Sequence, residues 1–519
     1  MTDWRLRTIQ RGDAGSEDEV LEILERPVRV VLPDGVPTWR HQLLALTLVD
    51  LLGRLFPRIE LVVDADAPAD ALLPPGAALL LDRLEQARAH GCCPQSPEGD
   101  PLATIRVGLG DGADVYVDGA GWQSYVGASP SQLPDRGAMV PVGPLIAACR
   151  GASQIFQLAL RHRLARAAFI IESSYSSALT LEAGSGPIDE PDLPPPVEVV
   201  AVLVGAGSVG GATAYLFAHM PEFSGELDVV DDDCLRGHNP GRAILATKQL
   251  AAEEAAKVEV VESALAHQAG LDVRPHQKRF EDFVAERARD AQLPLVLSAV
   301  DSVASRREIQ DAMPLDVIDA ACGTEQVSCS VHLTDSGPCI YCLHVGAVLD
   351  STRIKYRLIS AATGMSEAAV APLHVAQIPL TLQHVRSIEA YRRELGESLS
   401  VGAFDDYIGK TLETLYREKL LYGEALIATA GGGQAAVAAP FVTALTGFIL
   451  ASEALKAGSA DAYGPYRLGS PGALGIMYRE DPWRTPADRL ITRPARWPTQ
   501  ECLCQSPLRL RLLRERYAL

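Results

Sequence analysis

The sequence predicts an α/β fold: a doubly wound, Rossmann-like domain preceded by a second α/β domain that has degenerated. Three observations carry this. "VEVVAVLV" (residues 197–204) is a continuous β-branched run, the pattern of a parallel strand covered on both faces. It turns through the glycines of "GAGSVG" into the helical "SVGGATAYLFAHM", after which "ELDVVDDD" reads as a strand ending in acid. The same order occurs earlier in "VRVVL" (28–32), the helical "TWRHQLLALTLVDLLGRLF" and "IELVVDAD" (59–66), so the chain reads as an internal duplication.

At 519 residues the chain exceeds what a single core usually serves. The clearest break is "GSGPIDEPDLPPP" (184–196), where prolines and acids interrupt any periodic pattern. The expected division is therefore 1–190 for the degenerate copy and 191–519 for the working domain, with a helical insertion or crossover region at about 343–430. In the first copy the turn is "PDGVPTW", with one glycine and two prolines where an approaching phosphate wants glycines and free N–H groups. That copy is expected to have lost its nucleotide.

A formal net charge of −19 argues against a phosphate-neutralising surface, so no nucleic-acid partner is expected. Residues 199–220 and 434–452 are long and weakly charged enough to test as membrane spans. The first reads as strand, turn and helix and the second as a buried helix, so no membrane partner is expected either. "MTDWRLRTIQRGD" lacks the apolar run of a secretory signal, which makes a cytoplasmic location the expectation. Ten cysteines in such a chain are expected to be thiols or metal ligands, not disulfides; Cys92 and Cys93, in a polar loop, receive no role.

In "GAGSVG", Gly205 permits the tight turn, Gly207 lets the backbone approach a phosphate chain, and Gly210 lets the helix pack on its strand. The helix N-terminus adds N–H donors and a favourable dipole for an anion. Asp231 ends the next strand about 20 residues on, where a carboxylate binds a ribose, with Asp233 beside it. Dehydrogenases and flavoproteins share these features. Hydride transfer, however, needs no charge beside the phosphates, whereas nucleotidyl chemistry needs cations and a metal around the reacting phosphorus. The chain offers that second set: Asn239 and Arg242 in "HNPGR", Lys257 in "EEAAKVEVVESAL", and Asp301 in "LVLSAVDSVASRR", which follows a buried-strand run and so sits at the carboxyl edge of the sheet.

"VLVGAGSVGG", "VVDDDCLRGHNPGRA", "AAKVEVVESAL" and "LSAVDSVASRR" resemble the adenylation domain shared by ubiquitin-activating enzymes and the thiamine-pathway and molybdopterin-synthase adenylyltransferases, over about residues 197–456. The resemblance implies ATP as substrate, Asp231 at its ribose, Asn239, Arg242 and Lys257 on the phosphate side, and Asp301 as ligand to magnesium. "NPGR" departs from the family pattern between its two polar ends, and two extra residues separate Arg242 from Lys257, which leaves Lys248 as an alternative. The implied reaction joins the C-terminal carboxylate of a ubiquitin-like protein with a glycine-ended tail to AMP. The wider resemblance is to bacterial conjugation systems, with a conjugating-enzyme-like partner and a role in antiviral defence. Activating enzymes often pair a working domain with a degenerate copy that lends an arginine, for which Arg5, Arg7 and Arg11 stand nearest the chain start. The oligomeric state stays open, a homodimer among the options.

"PCIYCL" places Cys339 and Cys342 at the spacing by which a turn presents two thiolates to zinc. The resemblance implies a second pair near the chain end, which here is Cys502 and Cys504 in "ECLC", with one intervening residue instead of two. Many relatives then form a thioester on a crossover-loop cysteine, yet no cysteine lies between Cys342 and Cys502. Either the reaction stops at the adenylate or another nucleophile takes over, with Cys322, Cys329, Ser360, Thr363 and Ser366 as candidates. Two other function classes stay open on sequence alone. One is an NAD(P)-dependent oxidoreductase, which leaves Arg242, Lys257, Asp301 and the cysteines without purpose; the other is a pseudoenzyme that holds a ubiquitin-like protein without activating it.

Overall fold

The computed structural model describes residues 17–518, apart from 92–93, 135–138, 162–170, 197, 288–290, 324–325, 334–336, 344–355, 357–358, 361–362, 395–400, 417–425, 429–433, 437, 471–474 and 495–501. Arg5, Arg7, Arg11, Cys92 and Cys93 lie outside the described residues. The chain forms two compact units, one made of Ala14–Cys342 with Ala438–Leu519 and the other centred on Leu343–Val437.

Two sheets make up the larger unit. The first contains β1 (Val28–Val31), β2 (Ile59–Val62), β3 (Ala103–Val107), β4 (Val115–Ala120), β5 (Gln123–Gly127), β6 (Ser173–Ser177) and β7 (Ala183–Gly184), in the order 2-1-3-4-5-6-7. Its first four strands in that order are parallel and the rest antiparallel. The second contains β8 (Glu198–Val204), β9 (Ser224–Val230), β10 (Gly270–His276), β11 (Leu295–Ser298), β12 (Asp316–Cys322) and β13 (Val327–Leu333), in the order 10-9-8-11-12-13, followed by Met477–Glu480 and Leu490–Thr492. Strands 10-9-8-11-12 are parallel and the last three antiparallel. Removing β10 makes the two topologies identical, so the likeness read from one strand–helix–strand repeat extends through both sheets.

In each sheet a 19-residue helix precedes the penultimate strand: Val142–Leu160 in the first and Pro440–Gly458 in the second. Nearly every residue of both is buried, because the helices pack on their own sheets and on each other, with Phe156 and Phe441 ring centroids 6.1 Å apart. Pro440–Gly458 is, among the described residues, the one helix long and apolar enough to cross a membrane, and it is mostly buried. The sequence reading began this helix at residue 434; Gln434–Ala436 is instead a strand paired with Leu426–Ala428. The helix starts where Pro440 takes the first helical position, which needs no N–H.

At the carboxyl edge of the first sheet, Arg40 in the opening turn of helix Trp39–Gly53 reaches β4. It donates to Asp118 Oδ1 at 2.6 Å and to the carbonyls of Gly119 and Leu133, and both charged side chains are buried. This copy fills its own edge with an ion pair.

The smaller unit contains helices Glu367–Val375 and Leu382–Glu394 around a core that includes Ile359, Val370, Leu380, Val385, Ile388 and Leu412. Its buried carboxylate, Glu389, accepts from the backbone N–H groups of Gly402 and Phe404 and pairs with Arg386. Those bonds hold its pKa below the usual glutamate value against the cost of burial.

Candidate active site

The parallel strands of the second sheet end at one level: Val204 is opposite Val230 and Ser298, and Ser298 is opposite Asp319. The chain leaves β8 for β9 on one side and later returns to β11 on the other. The crevice between β8 and β11 is therefore the topological switch point at which ligands of open α/β sheets bind.

The glycine loop forms one wall. Gly205 has φ +91°, and a Cβ there would fall 2.7 Å from Ala299 O, so both the turn and the approach to the β11 end require glycine. Gly210 packs its helix so closely that a Cβ would lie 1.8 Å from Gly205 O. Gly207, which caps helix Ser208–Ala218, has nothing within 4 Å of its Cβ position. The loop is closed over itself but open in front of Gly207.

Asp231 braces that loop. Its Oδ2 accepts the Ala206 N–H at 2.7 Å and its Oδ1 the Asp233 N–H at 2.9 Å. Lys257, at the start of helix Lys257–Leu265, places Nζ 2.8 Å from Asp233 Oδ2 and 3.7 Å from Asp231 Oδ1. Burial raises the Asp231 pKa, and the Lys257 charge with the two backbone donors pulls it back. Lys257 thus stands on the aspartate side of the crevice, while Lys248 opens the short helix Lys248–Ala252 and is exposed.

Asn239 and Arg242 share the 3-10 turn Asn239–Gly241. Asn239 is buried and its side-chain oxygen accepts the Arg236 N–H at 2.6 Å, so it shapes the turn. Arg242 is different: its guanidinium makes no hydrogen bond or ion pair among the described residues, and its Nε is buried. Burial lowers its pKa, partly countered by Cys322 and by Asp301, whose charge is near enough to act on it. Asp301, just before the Ser302 cap of helix Val303–Asp311, is exposed and takes no hydrogen bond among the described residues. Neither group has a hydrogen-bond or ion-pair partner among the described residues, and a phosphate with a hard divalent cation would satisfy both.

Three supporting residues went unread in the sequence. Buried Arg306 donates to both carboxylate oxygens of Asp319 and to Val300 O, fixing the turn that ends in Asp301, and Ser298 Oγ donates to Asp319 Oδ1 at 2.6 Å. An aspartate inside the buried strand "DVIDAAC" was the available signal, since a charge there requires a partner.

Cys322 ends β12 beside Arg242, and burial raises its thiol pKa. Cys329 is fully buried in β13, with its thiol pushed well up. In the smaller unit, Ser360 donates to Met365 O and Thr363 to Ile359 O, while Ser366 caps helix Glu367–Val375 by accepting from Ala369 N–H. All three hydroxyls serve the local backbone.

Away from the crevice, the Cys339, Cys342, Cys502 and Cys504 sulfurs all lie within 4.8 Å of one another. Cys502–Cys504 are 2.8 Å apart, Cys342–Cys504 3.6 Å and Cys339–Cys342 3.8 Å, and none is a disulfide. Zinc–sulfur bonds of about 2.3 Å put tetrahedral sulfurs about 3.8 Å apart, so the set fits zinc. The second pair precedes helix Pro507–Tyr517, whose Tyr517 hydroxyl donates to Leu293 O, just before β11, and whose Arg509 pairs with Asp311 at the end of helix Val303–Asp311.

The chain matches the ThiF family over residues 197–467 and the BilD N-terminal domain over residues 28–170. The uncharacterized protein y4jF of Sinorhizobium fredii (strain NBRC 101917 / NGR234) is 24% identical over 348 residues, covering 66% of this chain and 64% of that relative. The chain therefore spans just under two thirds of that relative's length. Among solved structures, E. coli MccB with AMPCPP and MccA gives a TM-score of 0.33 at 12% identity over 59% of this chain and 66% of that one. E. coli MccB with ATP gives 0.24 at 16% identity over 30% and 48%. Scores of this size carry no argument about the site. The ThiF match takes in the glycine loop, Asp231, Arg242, Lys257 and Asp301 and extends over more than half of the sequence. The chain belongs to the ThiF family, the E1-like adenylyltransferases that its motifs resemble.

Proposed function

We propose that the chain adenylates a carboxylate with ATP, and that the carboxylate is the C-terminal one of a ubiquitin-like protein with a glycine-ended tail. The observation that carries the reading is the Arg242 guanidinium, which has no hydrogen-bond or ion-pair partner among the described residues, with the Asp301 charge near enough to act on it. Hydride transfer gives that pair nothing to do. Membership of the ThiF family supports the adenylation half of the reading.

A carboxylate oxygen of the partner attacks the α-phosphorus, the bond to the bridging oxygen breaks, and pyrophosphate leaves with its electron pair, giving an acyl-adenylate. The nucleophile is already ionised near neutral pH, so no general base is needed. What the chain supplies is orientation and charge. Gly207 leaves room for the phosphates, Asp231 receives the ribose, and Arg242 compensates charge on the phosphates. Lys257 offsets part of what burial costs the Asp231 charge. Asp301 would hold magnesium, which supplies Lewis-acid charge when bound.

Zinc, held by Cys339, Cys342, Cys502 and Cys504, would staple the chain end to the sheet and take no part in the reaction. The reading includes no acyl-enzyme on these candidates: Ser360, Thr363 and Ser366 are engaged with backbone, and the thiol pKa of Cys322 is raised by burial. Transfer to a conjugating-enzyme-like partner, in a bacterial pathway serving antiviral defence, extends the same proposal.

The test is ATP–pyrophosphate exchange in the presence of small proteins with glycine-ended tails. Exchange should depend on the tail carboxylate and fall at least a hundredfold in Asp301→Ala. Undiminished exchange in that variant refutes the metal assignment. Mg·ATP binding without exchange for any such protein favours a pseudoenzyme.

A further inference from the structure

The N-terminal copy contributes one residue to the loop that carries Asn239 and Arg242. Arg54 follows helix Trp39–Gly53 and is fully buried. Its guanidinium leaves its own copy and fans across the turn after Asn239. Nη1 donates to Pro240 O, to Ala243 O at 2.8 Å and to Ala246 O at 3.2 Å, while Nη2 donates to Ile244 O at 2.8 Å. Nε donates to Asp50 Oδ1 at 2.8 Å, and Asp50 is itself buried. Gly91 makes room, since a Cβ there would fall 2.5 Å from the Arg54 Cα and Cγ.

Residues 242–247 form no helix or strand, so no regular ladder pairs their carbonyls, although Ala243 O accepts the Ala246 N–H at 2.9 Å. Arg54 donates to four carbonyls of this stretch and its preceding turn, and Thr443 Oγ1 donates to Arg242 O at 2.8 Å from another side. The Arg242 guanidinium has no partner of its own among the described residues, so its aim is set by the backbone from which it springs.

We infer that Arg54, backed by Asp50, is a positioning residue for the nucleotide: it fixes the backbone of residues 240–246 so that Arg242 is presented to the phosphates. The degenerate copy is then required for the chemistry of the other half although its own sheet edge is filled by the Arg40–Asp118 ion pair. This rests on the proposed ATP site, but the holding of the loop is measurable without it.

The test uses the full chain, with Mg·ATP as the probe. Lysine cannot span four carbonyls as a guanidinium does, so Arg54→Lys should weaken Mg·ATP binding in calorimetry by about tenfold or more. In an Arg242→Ala background the same change should cost about twofold or less, because Arg54 acts through Arg242. Amides of residues 242–246 should exchange with solvent at least about tenfold faster in Arg54→Lys, with those of β8 unchanged. If Arg54→Lys does not fold, Asp50→Asn, which removes the counter-charge and leaves Arg54 in place, carries the same three measurements. Unchanged ATP affinity, penalties that add in full, or unchanged loop exchange each overturn the inference. Failure of the wild-type chain to bind Mg·ATP defeats the proposed function instead, and the exchange measurement then decides by itself whether Arg54 holds the loop.

Discussion

Alanine at Gly207 and alanine at Gly210 should have opposite consequences, although the two glycines lie three residues apart in one motif. At Gly207 the backbone φ is −73° and a Cβ would meet no atom within 4 Å, so the methyl group is accommodated in the nucleotide-free protein. Stability should stay within about 1 kcal/mol of wild type, since no neighbouring atom has to move. At Gly210 the methyl carbon would sit 1.8 Å from Gly205 O, where van der Waals contact needs roughly 3.5 Å. The helix or the loop must retreat, at a cost of about 1–3 kcal/mol. Nucleotide binding reverses the order of interest. The open volume before Gly207 is where the phosphates are proposed to approach the backbone, so Gly207→Ala should lose Mg·ATP affinity by about tenfold or more, equivalent to at least about 1.4 kcal/mol, with the fold intact. Denaturant unfolding without nucleotide and calorimetric titration with Mg·ATP separate the two effects. A stable Gly207→Ala that binds Mg·ATP as tightly as wild type refutes the placement of the phosphates.

Three further outcomes are expected. The purified chain should carry one zinc, lost together with protease resistance of helix Pro507–Tyr517 in Cys342→Ser or Cys502→Ser; a metal-free wild type with four titratable thiols would contradict the site. His219 is buried, with its pKa lowered to about 4 chiefly by burial, and its Nδ1 lies 2.8 Å from Tyr215 O. The unfolded chain takes up that proton first, so stability should fall as pH drops from about 6.5 towards 4, by at most about 3 kcal/mol. His219→Gln should flatten that part of a pH–stability curve, and an unaltered slope would show that other groups are responsible. Ser366→Ala should cost about 1 kcal/mol as a lost helix cap while leaving pyrophosphate exchange intact, whereas loss of exchange would restore the hydroxyl as a functional group.

Much of the site was legible because it is written in local patterns. A β-branched run into Gly205, Gly207 and Gly210 can form little except a strand, tight turn and helix. The aspartate 21 residues after Gly210 falls at the next strand end because one helix and one strand take about that many residues. Asp301 stands after the end of β11 by the same rule. The duplication was visible in one repeat because hydrophobic order along a strand–helix–strand unit survives loss of identity. The start of helix Pro440–Gly458 was misplaced because residues 434–438 are as apolar as the helix itself, and hydropathy alone does not tell strand from helix there.

What only the tertiary structure decided was which charges have partners. Lys257 and Arg242 look alike in sequence as cations after an acidic strand end, yet Lys257 pairs with Asp233 and Arg242 has no partner among the described residues. Arg54 reads as one more basic residue at a helix end, but it closes on carbonyls 186–192 residues away. Local sequence sets backbone preference over a few residues. Electrostatic compensation inside a protein depends on distance in space and on burial, which exist only once remote segments have been brought together.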